Sequence, residues 1–286
     1  MKSIILSVLC CTLVTTLVAD SPVWKATQGP HTVYLGGTMH LLRKRDLPLP
    51  DVYDQAYAAA DAVYFETDLA VLESEKFQRA MLHYLTYHDG KTLDDVLQPD
   101  TINALKKYLE FRGLPYESFK TFKVGLLNIT LAMLEYGRIG VNEPGVDQRY
   151  HDRAIADGKK LGFLETPEEQ LRFLLELGKG QEDELLLYTL DDMDELRKTT
   201  RVLIKAWREG DLALMNRELI GPMKTEFPDT YAMMLANRNA AWLPRIDEMI
   251  KSPEVELLLV GALHLGGADG LIAGLKAKGY TLSEVH

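Results

Sequence analysis

The chain has 286 residues, nearly half of them hydrophobic, and carries a formal net charge of −10. No basic stripe stands ready to neutralise phosphates, which argues against nucleic acid as a partner. Both cysteines, Cys10 and Cys11, fall near the start, so the remaining sequence has no disulfide or thiolate chemistry.

Lys2 precedes an apolar stretch from Ile4 to Leu17, and Leu17-Val-Ala19 offers a cleavage point before Asp20. Residues 1–19 read as a secretory signal peptide, short for a membrane span and lacking a basic stop-transfer flank. The expectation is a secreted or periplasmic protein that meets a membrane only through an uncleaved leader. Residues 20–286 then form a single domain.

Thr32–Leu35 is an apolar run followed by Gly37-Thr-Met-His40, and reads as a buried strand that ends in glycine and presents a histidine. Asp51 to Ala60 is a helix of small residues, and Ala62–Phe65 a strand ending at Glu66. A helical excursion covers about 69–140, broken at Gly90, Pro99, Gly113 and Pro115. Asp147 to Asp157 is a helix stopped by Gly158, and Leu161–Leu164 a strand ending at Glu165. A second helical excursion spans about 167–243. Val255–Val260 is the next strand, followed by Gly261-Ala-Leu-His264, a near repeat of the first histidine word. A helix over Leu271–Lys278 and a strand at Tyr280–Leu282 come last. This alternation predicts an α/β fold around a central mixed sheet with helical insertions.

His40, Glu66, Glu165 and His264 each follow a predicted strand, and ligands of open α/β sheets gather beyond the carboxyl ends of strands. Two neutral imidazoles and a carboxylate form a common ligand set for zinc, manganese or cobalt. A further carboxylate can act as base toward water activated by such a metal. The plainer alternative has both histidines packing or capping strands, with Glu66 and Glu165 as helix-entry residues. Other histidines carry less. His83 and His88 are five apart and share no helical face. Asp147 and His151 stand at i,i+4, but Arg149 and Arg153 lie alongside, and the helix reads as a solvated face.

Gly36-Gly-Thr-Met-His40, Val63-Tyr-Phe-Glu-Thr-Asp-Leu69, Gly145-Val-Asp147, Leu164-Glu-Thr-Pro-Glu-Glu-Gln170, Arg238-Asn239 and Gly261-Ala-Leu-His264 occur in that order. Together they resemble the TraB/GumN family, which includes bacterial pheromone-shutdown proteins and the animal TIKI proteases, and the secreted form is most similar to the GumN-like branch. The resemblance implies a fold related to erythromycin esterase and the ChaN-like proteins, built of two pseudo-repeated halves. It also implies a metal-dependent hydrolase whose proposed active-site set, carried over, is His40, Glu66, Arg238, Asn239 and His264. His40 and His264 would bind a divalent metal, manganese, cobalt or zinc, with Glu66 as third ligand or as general base. Arg238 or Asn239 would donate to an oxyanion, or form a helix-surface pair. Glu165 would orient a ligand from behind, or cap the helix that begins at Thr166-Pro167.

The substrate class that follows is a peptide or another small amide or ester. Two other readings stay open: a non-catalytic protein that sequesters a peptide or metal, and a metal-independent esterase-like hydrolase with His40 as general base.

Overall fold

The computed structural model describes residues 21–286; the leader and both cysteines lie outside the described residues. Strands β1 (Val23–Gln28) and β2 (His31–Thr38) form a hairpin, with Gln28 and His31 paired across Gly29-Pro30. Gly29 takes φ +61°, a conformation glycine adopts without steric cost. A short strand β3 (Leu41–Leu42) and helix α1 (Val52–Ala59) lead to β4 (Ala62–Phe65). The first helical stretch contains α2 (Leu69–Glu73), α3 (Glu75–Tyr84), α4 (Pro99–Phe111) and α5 (Val124–Arg138). Then β5 (Glu143–Pro144), which pairs with β3, and α6 (Val146–Ala156) precede β6 (Lys160–Phe163).

The second helical stretch runs through α7 (Pro167–Glu176), α8 (Glu182–Glu209), α9 (Leu212–Met215), α10 (Gly221–Glu226), α11 (Pro228–Tyr231) and α12 (Asn237–Met249). π-helical turns cover Asn216–Ile220 and Ala232–Ala236. Strand β7 (Glu256–Gly261), α13 (Leu271–Ala277) and β8 (Thr281–Glu284) complete the order. No helix among the described residues is long and apolar enough to cross a membrane.

Six strands make one mixed sheet in the order β6-β4-β7-β2-β1-β8. The four neighbours β6, β4, β7 and β2 are parallel, and β1 runs antiparallel to both β2 and β8. Register aligns the carboxyl ends: Phe65 pairs with both Leu259 and Phe163, and Thr38 with Gly261. The sheet is thus the expected α/β arrangement. Its one strand absent from the sequence reading is β1, whose cue is the Gly29-Pro30 turn rather than a clean alternation of apolar residues.

Helices cover both faces. Along β7, Leu257 and Leu259 pack with Tyr53 and Tyr57 of α1, Val146 and Tyr150 of α6, and Trp207 near the end of α8. Leu258 and Val260 pack on the other face with Trp242 and Ile246 of α12 and Leu271 and Leu275 of α13. A strand buried on both faces reads as a continuous apolar run, which is how Leu257–Val260 looks in the sequence. The helical stretches build a separate core from Leu105 and Leu109 of α4, Leu127 and Leu131 of α5, and Leu186 and Leu196 of α8.

One close approach fixes the loop after β2. The amide of Gly145 donates to the carbonyl of His40 at 3.0 Å, and that of Val146 to the carbonyl of Met39 at 3.1 Å. A Cβ on Gly145 would lie 1.8 Å from the Met39 carbonyl oxygen, a collision between two backbones. Gly145→Ala is therefore expected to cost about 1–3 kcal/mol in urea unfolding, in the range of overpacked sites. Unchanged stability would mean that this contact does not constrain the loop.

Candidate functional site

The parallel register brings four strand ends to one edge of the sheet. His40 lies two residues past β2, Glu66 directly after β4, Glu165 two residues past β6, and His264 in a 3-10 turn (Ala262–His264) after β7. Arg238 and Asn239 arrive from the first turn of α12, directly after the π-helical turn at Ala232–Ala236. Such turns are rare and recur at functional sites.

Arg238 sits at the centre. Its Nη2 donates to Glu66 Oε2 and to Glu165 Oε1, both at 2.5 Å, and its Nε to Glu165 Oε2 at 3.0 Å. Nη1 donates to the Met234 carbonyl at 3.1 Å and approaches His264 Nε2 at 3.2 Å. Every N–H of the guanidinium is engaged. Asn239 accepts from His264 Nδ1 at 2.7 Å, and its Nδ2 donates to the carbonyls of His264 and Asp269 at 3.3 and 2.8 Å. Neither residue stands on the helix surface, since both are buried. Neither has a hydrogen left for an oxyanion, so both hold the site in place.

Glu165 is also buried and accepts from Gln170 Nε2 at 3.0 Å. The capping role falls to Thr166, whose side chain accepts from the Glu169 amide. Glu66 Oε1 accepts from the Gly261 amide at 2.7 Å and lies 3.7 Å from His264 Nε2. His40 donates through Nδ1 to Asp147 Oδ2 at 3.1 Å, leaving its Nε2 free toward Glu66. A Cβ on Gly261 would stand 3.2 Å from Glu66 Oε1, 3.6 Å from His264 Cδ2 and 3.9 Å from His40 Nε2. The missing side chain of Gly261 thus leaves a space bounded by all three.

Asp147 departs from the sequence reading. Its helix is not simply a solvated face: the Asp147 side chain is 15% exposed and tied to His40, while the buried His151 packs edge-on against Phe65. The signal was present in the i,i+4 spacing of these two residues, but the flanking arginines masked it. A cavity of about 300 Å³ opens beside His40 and Glu66, lined also by Thr38, Thr67, Asp147 and Gln170. Thr38 Oγ1, Thr67 Oγ1 and Asp147 Oδ1 are buried there without a hydrogen-bond partner among the described residues.

Charge is unevenly distributed. Burial alone would push Glu66 up, but the charges of His264 and Arg238 outweigh it and bring the carboxyl down to about 2. Burial lowers His264 to about 4 against the attraction of Glu66, so this imidazole is neutral at pH 7. Arg238 is therefore the cation that keeps Glu66 ionised there. Burial raises Glu165 despite its two bonds from Arg238. Asp147 raises His40, whose side chain is two-thirds exposed at the cavity mouth.

Among the described residues, no three His, Cys, Asp or Glu side chains already stand in a metal-coordinating arrangement. Arg238 lies between Glu66, Glu165 and His264. The donor chemistry nevertheless suits a divalent cation. Both Nδ1 atoms are claimed by acceptors, His40 Nε2 borders the space over Gly261, His264 Nε2 meets that space while accepting from Arg238 Nη1, and the nearest carboxylate is ionised.

The arrangement is that of an open α/β protein whose polar cluster lies beyond the carboxyl ends of its parallel strands. Residues 22–284 match the TraB/PrgY/gumN family, and the chain belongs to it. No curated protein and no solved structure matches it.

Arg238→Met would strand two buried carboxylates, and breaking a buried pair in this way costs about 3–5 kcal/mol. Adding Glu165→Gln removes one stranded charge and is expected to recover part of the loss. Denaturant midpoints of the two variants check this; an Arg238→Met protein as stable as the parent would refute it.

Proposed function

We propose that the protein is a metal-dependent hydrolase of peptides or related amides and esters. In this reading His40, His264 and Glu66 would hold manganese, cobalt or zinc. The observation that carries it is the pair of imidazoles from neighbouring strands, each pinned at Nδ1, each turning Nε2 toward one ionised carboxylate. Asp147 and Asn239 fix the tautomers, as partners of metal-ligating histidines do. When bound, such a cation would supply Lewis acidity and bring the acidity of water near neutral pH. Glu66 is the carboxylate placed to accept a proton there. Glu165 and Arg238 orient Glu66, and Thr38 and Thr67 offer hydroxyls to a substrate in the cavity. Read as a secretory signal peptide, residues 1–19 would direct this activity to the periplasm or the exterior.

A second reading has its own observation. Asp147 behind an exposed His40 is the carboxylate–imidazole pair of a general base, and it requires no metal.

The decisive experiment measures metal content and peptide turnover of residues 20–286, purified without chelator, beside four variants. Stoichiometric metal is expected, lost in His264→Ala and His40→Ala with the fold retained. Glu66→Gln should lower turnover at least ~100-fold, on the scale of a lost general base. Gly261→Ala should fold, since its φ of −48° suits any residue, yet fill the space between the three side chains and lose metal. Turnover that survives chelation but fails in His40→Ala would favour the metal-free base. Ligand binding with neither metal nor turnover would leave a sequestering protein.

A further inference from the structure

A larger cavity, of about 490 Å³, lies in the helical part of the molecule, apart from the strand-end cluster. Its walls are mostly apolar, with Met193 and Leu196 of α8, Met223 of α10, Phe227, and Met234 in the π-helical turn that precedes Arg238, while Asp192, Lys198 and Glu218 stand exposed at its margin. Methionine-rich walls adapt to irregular apolar shapes. Among the described polar residues of the lining, one is buried. Asn128 falls on the buried stripe of α5 formed by Val124, Leu127 and Leu131, where an apolar side chain would be expected.

Asn128 is 6% exposed, and among the described residues neither its Oδ1 nor its Nδ2 has a hydrogen-bond partner. Each buried polar group left unpaired costs roughly 1–3 kcal/mol, so this residue opposes stability where it stands. It brings one acceptor oxygen and an NH2 donor group to the lining of a mostly apolar cavity. The chemical complement of that pair is another amide, which presents one carbonyl and one N–H. We propose that this cavity binds a ligand with a hydrocarbon body and a single buried amide, paired to Asn128. An apolar peptide segment and a fatty-acid amide share this chemistry. The site goes beyond the hydrolase reading and does not rest on it. The two meet through α12, since the carbonyl of Met234 accepts from Arg238.

Calorimetric titration of the full mature chain with octanamide and with acetyl-leucyl-leucinamide tests this, in the parent, Asn128→Leu and Ala132→Trp. Saturable binding of at least one probe is expected, weakened tenfold or more by Asn128→Leu and abolished by Ala132→Trp, which fills the cavity. The tighter of the two probes identifies the source of the amide. Asn128→Leu should also melt at or above the parental temperature, because it removes two unpaired polar atoms. Three results would overturn the proposal: no saturable binding of either probe, binding that Asn128→Leu leaves unchanged, or a lower melting temperature for that variant, which marks a structural asparagine. Because the readout is binding, the result stands whether or not the strand-end cluster hydrolyses anything.

Discussion

The structure of the site depends on a single buried guanidinium. Arg238 joins the ends of β4 and β6, through Glu66 and Glu165, to the turn after β7, through His264. Its Cζ lies 4.7 Å from the ring centroid of Trp242 and 5.1 Å from that of Phe173, so aromatic rings also attend the cation. An exposed ion pair would contribute little, and a buried one is tolerated only when every hydrogen and lone pair is matched. That requirement sets the position of α12 against the sheet. It also explains why arginine rather than lysine suits the position, since a point charge could not reach two carboxylates and an imidazole in one plane.

The two histidines are alike in sequence context and unlike in surroundings. His264 is buried, neutral and held by Asn239, with the Trp242 ring 4.5 Å away. His40 is exposed and backed by a carboxylate. The loop that carries His40 is held from below, since the Gly37 carbonyl accepts from Tyr53 and, at 2.8 Å, from Trp207 Nε1. One imidazole is thus part of the scaffold, and the other faces whatever enters the cavity.

Much of this was legible in the sequence because apolar strands flanked by glycine announce themselves locally. The strands carrying His40, Glu66, Glu165 and His264 could be read from short runs of residues, and the parallel sheet then set their ends on one edge. The TraB/GumN motifs added Arg238 and Asn239, which periodicity alone left on a helix surface. Hidden from the sequence were the partners that only folding brings near. Asp147 meets His40 across 107 residues, and Trp207 meets Gly37 across 170. The full engagement of Arg238 was hidden too, because donor saturation is a property of packing and not of spacing.

The position of β7 has a consequence for how the molecule comes into being. The strand at the centre of the parallel array, between β4 and β2, is the seventh of the eight described strands. A ribosome releases it late, so β2 and β4 must wait with the edges they later share with β7 unpaired. Unpaired edges attract other strands. The growing polypeptide therefore passes through a period in which its most aggregation-prone surfaces are open, and the arrival of β7 ends it by filling the slot between β4 and β2, bringing His264 to Arg238.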